Sequence, residues 1–91
     1  MSGTVDEAEV FKRVSAVVAK VLDVDEASVT MESDLSADLG ADSIDRMTLV
    51  MALEDAFRQR VPEEDLPGLT TVGKTVAYIA ARQRSANSPS S

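Results

Sequence analysis

The sequence contains no cysteine, no histidine and no tryptophan among its 91 residues. Without cysteine there is neither a disulfide framework nor a thiolate metal site, which fits a reducing compartment. Without histidine the usual general base and the commonest metal ligand are both missing. Aromatic residues make up only 3% of the chain, so a core has to be built from Val, Leu, Ile, Ala and Met. Positive charge is also scarce. Nine Lys and Arg face sixteen Asp and Glu, for a net charge of -7. From Glu32 to Asp65 there are ten acids against Arg46, Arg58 and Arg60, so this stretch carries the whole imbalance and the rest is neutral. A nucleic-acid binder needs the opposite sign. No apolar run approaches the length of a membrane span. The N-terminal "MSGTVDEAEV" lacks the basic start and apolar run of a secretory signal. The expected location is the cytoplasm, and the default state is a monomer.

What is present has helical period. Thr4-Val5-Asp6-Glu7 reads as a capping box with Thr4 as N-cap. After it, Val10, Phe11, Val14, Val17, Val18, Val21 and Leu22 recur on one face, predicting a first helix over about 5–22. Between Asp23 and Asp42 the period breaks. Val29, Met31, Leu35 and Leu39 are expected to pin a long loop, with room for one helical turn. A second helix is expected over about 43–58. Pro62 then stands at the first position of a short helix in "PEEDL", which Pro67-Gly68 ends. A last helix follows Thr70 or Thr71 as N-cap, with Val72, Val76, Ile79 and Ala80 on its buried face and Arg82 and Arg84 near its end. The tail "SANSPSS" has nothing to bury and is expected to be disordered. The fold class is therefore all-α: a small four-helix bundle of three main helices and one short one, with a long loop between helices 1 and 2. One domain over 4–84 and a tail over 85–91 are expected.

The second helix has two apolar faces. At about 100° per residue, Leu49, Val50, Leu53 and Phe57 gather on one side as the natural core face. Ile44, Met47 and Met51 form another stripe, flanked by Thr48, Glu54 and Asp55. Such a stripe is either a docking surface, with methionines adaptable to several partners, or further core. Arg46 falls toward the core face, from which its side chain would have to reach outward.

Ser43 heads this helix in the string "DLGADSID". Hydrolysis by Ser43 would need a base, and neither a histidine nor a Gly-x-Ser-x-Gly elbow is present. Two readings stay open. Ser43 is a helix N-cap, or it carries a phosphorylated group at a helix N-terminus, where free N–H groups and the helix dipole favour an anion. In the second case Asp42 and Asp45 could hold a divalent cation brought by a modifying enzyme.

"DLGADSID", "LVMALEDAF" and "VPEEDLPGLTTVGKTVAYI" together resemble the acyl carrier proteins, over about Val10 to Ile79. The resemblance implies that Ser43, preceded by Asp42, bears 4′-phosphopantetheine as a phosphodiester. A separate phosphopantetheinyl transferase installs the group from coenzyme A. The imported thiol then holds acyl chains as thioesters, with no cysteine in the chain. The resemblance also implies a non-catalytic protein that delivers its cargo to ketosynthase, acyltransferase and other fatty-acid or polyketide synthase enzymes. Those partners would dock on the second helix at Asp42, Ile44, Asp45, Met47, Met51, Glu54 and Asp55, and the chain they extend could fold back between the helices. Three residues depart from the fatty-acid pattern: Ile44 where Leu is common, and Arg46 and Thr48 where neutral and acidic residues are common. They set a carrier for a polyketide or other specialised pathway beside the fatty-acid one as an alternative. An aminoacyl or peptidyl carrier shares the "DSI" string. An unmodified acidic helical adaptor would use the Ile44/Met47/Met51 stripe alone.

Overall fold

The computed structural model describes residues 6–86. Three α-helices carry the architecture: α1 (Glu7–Leu22), α2 (Ser43–Phe57) and α3 (Val72–Ala86). Two short 3₁₀ segments lie between them, Glu26–Ser28 before α2 and Glu63–Gly68 before α3. The described residues contain no strand, and the only β-type pairing among them is an isolated bridge between Asp34 and Thr71.

α1 starts at Glu7, two positions later than the sequence suggests. Asp6 has extended backbone, and its carboxylate accepts the Ala8 N–H at 3.0 Å, so Asp6 is the N-cap. Thr4, expected in that role, lies outside the described residues, as does the tail from 87 to 91. At its far end α1 closes on Asp23 in left-handed conformation (φ 58°), while the next N–H, of Val24, returns to Ala19 O at 3.0 Å. Val10, Val14 and Val18 are buried along one stripe, against which α2 and α3 both pack. Leu49, Leu53 and Phe57 enter from α2, and Val72, Val76, Ile79 and Ala80 from α3. Val14, Val72, Val76 and Ala80 retain no exposed surface at all. Burying one such aliphatic side chain is worth roughly 1.5–3 kcal/mol, so this central layer dominates the favourable side of folding.

The long connection before α2 is anchored by its backbone. Leu35 N–H donates to Thr70 O and Val72 N–H to Ser33 O, both at 3.0 Å, and Gly73 N–H donates to Met31 O at 2.8 Å. The segment is thereby stitched to the start of α3. Val29 and Leu35 are buried and Leu39 is half-buried, as their apolar character requires. Met31 departs from the expectation. It is exposed, and only its backbone holds the loop. Gly40 adopts φ 74°, where a residue without Cβ is favoured, and the chain turns there toward Asp42.

Three further boundaries differ from the sequence reading. α2 ends at Phe57 because Arg58 takes up a left-handed cap (φ 54°). The short helix is 3₁₀. Pro62 caps it instead of opening it, and Pro67 and Gly68 lie inside it. The i→i+3 pattern of so short a segment tolerates Pro67. α3 runs on to Ala86, two residues past the expected domain end at 84. Its start follows expectation, since Thr71 Oγ1 accepts the Lys74 N–H at 3.1 Å.

Candidate functional site

The head of α2 is built by a reciprocal cap. Asp42 is the N-cap residue; its Oδ1 accepts the Asp45 N–H at 2.8 Å, and Asp45 Oδ2 accepts the Asp42 N–H at 3.3 Å. This is a capping box in which an aspartate serves at each end. It corrects the reading of Ser43 as N-cap: Ser43 is the first helical residue, one position inside the cap. It also changes the outlook for a cation between the two acids, since one oxygen of each carboxylate is already occupied by a backbone N–H. The Ser43 side chain is exposed. It stands at the positive end of a helix of 15 residues.

The second apolar stripe lies on the surface. Ile44 is 73% exposed, Met47 61% and Met51 65%, so the alternative that α2 is buried all round is overturned. α2 thus presents one apolar face to the core and one to solvent. Of the acids expected beside the stripe, Asp42 and Asp55 are exposed, while Asp45 is half-buried in the capping box. Glu54 is half-buried as well, and its Oε2 accepts the Val61 N–H at 2.8 Å. Sequence reasoning missed this bond, which ties α2 to the chain leading to the second 3₁₀ segment.

A cavity of about 350 Å³ opens beside Ser43. It lies between α2 and the stretch formed by the second 3₁₀ segment and α3, with Leu49, Val50 and Leu53 on one side and Leu66, Leu69 and Thr75 on the other. Ser43 and Met47 stand on its wall, so the exposed hydroxyl and the cavity are adjacent. Arg46 spans the two sides, with Nη2 donating to Leu66 O at 3.5 Å and to Leu69 O at 3.4 Å. The reach away from the core expected of Arg46 is therefore directed across this cavity. Leu66 and Leu69 had no place in the sequence reading. Their only signal was an apolar pair straddling Pro67-Gly68. At the edge of the region Asp34 holds the N–H groups of Ala37 and Ser36. Those two bonds keep its carboxyl below the ordinary value of 3.8, and the positive charges of Arg46 and Lys74 act in the same direction.

The arrangement is that of a carrier module: a presented hydroxyl, an apolar space beside it, and an exposed helix face. Residues 12–79 match the family described as "Phosphopantetheine attachment site". A solved structure of the acyl carrier protein from Enterococcus faecalis, described in terms of its high thermal stability, is 35% identical. It superposes with a TM-score of 0.69, over 82% of this chain and 95% of that one. The chain belongs to the phosphopantetheine-attachment family, as a carrier of the acyl carrier protein type. It is a non-catalytic protein, and its cofactor is 4′-phosphopantetheine. The group fits the head of α2, where an exposed hydroxyl meets the positive end of the helix dipole, which favours a phosphodiester. No helix among the described residues is long and apolar enough to cross a membrane.

Proposed function

We propose that Ser43 is the attachment residue and that the chain carries fatty-acid or polyketide intermediates. The observation that supports this is the position of Ser43 one residue inside the cap. Asp42 and Asp45 cap α2 between them, so the serine hydroxyl is not needed for the helix and is presented to solvent. In the transfer, Ser43 Oγ forms a bond to the pantetheine phosphorus of coenzyme A. The pyrophosphate P–O bond breaks, adenosine 3′,5′-bisphosphate leaves, and the hydroxyl proton passes to a base on the transferase. The installed group supplies a thiol on a flexible arm, to which acyl chains attach as thioesters. The cavity next to Ser43 is apolar over most of its wall and suits an aliphatic segment returning on that arm.

The partners are a phosphopantetheinyl transferase and synthase enzymes such as ketosynthases and acyltransferases. Ile44, Met47 and Met51 supply the exposed apolar contact, and Asp42, Asp45, Glu54 and Asp55 supply negative charge around it. Intact mass after incubation with coenzyme A, Mg²⁺ and a promiscuous transferase tests the reading. One phosphopantetheine is expected on the wild type and none on Ser43→Ala. A folded wild type that gains no mass, beside a control carrier that does, would leave an unmodified adaptor using the apolar stripe.

A further inference from the structure

Carriage of a purely hydrocarbon chain gives the cation on the cavity wall nothing to bind. Arg46 lies one turn after Ser43 on the same side of α2, and the two line the same cavity. It is half-buried. Its hydrogen bonds to Leu66 O and Leu69 O both leave from one nitrogen, Nη2, and both are long at 3.5 and 3.4 Å, against about 2.9 Å for a well-formed bond. Their acceptors are neutral carbonyls, and the donors on Nη1 and Nε take no part in them. Two carboxylates share the neighbourhood. Asp34 receives the N–H groups of Ser36 and Ala37 on Oδ1 and feels Arg46 through charge, not through a hydrogen bond, and Glu63 is exposed on the cavity rim. A guanidinium partly removed from water calls for further oxygen acceptors. A saturated chain laid against it would supply none.

We infer that the cavity selects acyl chains oxygenated near the thioester, of the 3-oxo class, and that Arg46 is the specificity residue, donating to the chain carbonyl. The inference rests on the carrier reading and narrows its cargo. A site that holds a polar group discriminates strongly against an analogue lacking it, because its own polar atoms then go unpaired. The Leu66 and Leu69 carbonyls draw the guanidinium across the cavity, and the apolar wall takes the rest of the chain.

The test loads the full chain from octanoyl-coenzyme A and from 3-oxooctanoyl-coenzyme A, with apo and holo protein in parallel and every form checked by intact mass. The 3-oxooctanoyl form should melt higher than the octanoyl form by ~4 °C or more. Arg46→Met should abolish the difference, and Arg46→Lys should keep part of it. A chain that gains no arm overturns the carrier reading and this inference with it. A chain that loads both groups and melts equally with each overturns the inference alone. So does an Arg46→Met protein that still separates the two acyl forms, since the difference would then arise without the guanidinium. Should Arg46→Met fail to fold, the wild-type amide shifts of Leu66 to Thr70 decide the matter. They should move with the 3-oxo chain and stay with the saturated one, and equal movement with both would sink the idea.

Discussion

Asp42 Oδ1 stands 2.8 Å from the backbone N–H of Asp45, on the far side of Ser43 in the sequence. The contact takes over the capping task from the serine between them and leaves its hydroxyl exposed at the start of α2. If Ser43 is the attachment residue, as proposed, structure and modification are divided between neighbouring residues and can be separated by mutation.

Asp42→Ala removes the carboxylate that receives the Asp45 N–H and should lower stability by ~1 kcal/mol, within the usual range for a lost N-cap. Ser43→Ala removes no capping bond, so its urea midpoint should match the wild type, while modification is lost completely. A Ser43→Ala protein as destabilised as Asp42→Ala would return the serine to the cap.

Arg13 does the equivalent work at the other end of α2. Its Nη2 donates to Ala56 O at 2.6 Å, and its guanidinium lies 4.4 Å from the centre of the Phe57 ring. The last turn of α2 has no basic residue of its own, so a cation from α1 satisfies a terminal carbonyl and stacks on the aromatic ring that closes the core. Arg13→Met should cost ~1–2 kcal/mol in urea unfolding, whereas Lys12→Met, at an exposed neighbour, should stay within ~0.5 kcal/mol.

The amphipathic periods of α1 and α3 make the core legible in the sequence. Val10, Val14, Val18, Val72, Val76, Ile79 and Ala80 are all buried as their spacing requires. The two faces of α2 were also visible, but which of them is solvated was not. That depends on how much of α2 the other elements cover, a tertiary quantity absent from any local pattern. The same limit hid the cap of α2. Both Asp42 and Ser43 are good N-cap residues, and only the backbone conformation at Asp42 decides between them. The link from Glu54 to Val61 and the reach of Arg46 to Leu66 and Leu69 join residues 7 to 23 positions apart, where helical spacing says nothing.

Tyr78 should set an alkaline limit to stability. Burial, followed by the hydrogen bond its hydroxyl donates to Asp65 Oδ2 at 2.6 Å, pushes its ionisation above the ordinary value of 10.0. A group whose pKa is raised on folding contributes stability that is full below its unfolded value and lost as pH climbs through the folded one. Wild type should therefore lose stability above about pH 10. Tyr78→Phe should be less stable near neutrality by ~1 kcal/mol and show a flatter alkaline limb. Urea midpoints measured from about pH 8 to about pH 11 read both effects, and an unchanged limb would show that some other group titrates there.

Met47 offers the sharpest separation of docking from folding. With 61% of it exposed beside Ile44 and Met51, Met47→Glu should change stability by no more than ~0.5 kcal/mol. The new carboxylate would stand in the middle of the apolar stripe, where a partner has to remove it from water. The rate of phosphopantetheine transfer should therefore fall by ~10-fold or more, the effect of losing about 1.4 kcal/mol of binding. Salt supplies the complementary reading. Attraction between the acids of α2 and a basic partner is screened over ~8 Å at physiological ionic strength and more tightly above it, so transfer to the wild type should slow as salt rises. If Met47→Glu slows transfer at every salt concentration while wild type responds steeply to salt, the stripe supplies contact and the acids supply steering. If Met47→Glu is modified as fast as wild type, the transferase does not touch the stripe, and recognition lies with Asp42, Asp45 and the residues immediately around Ser43.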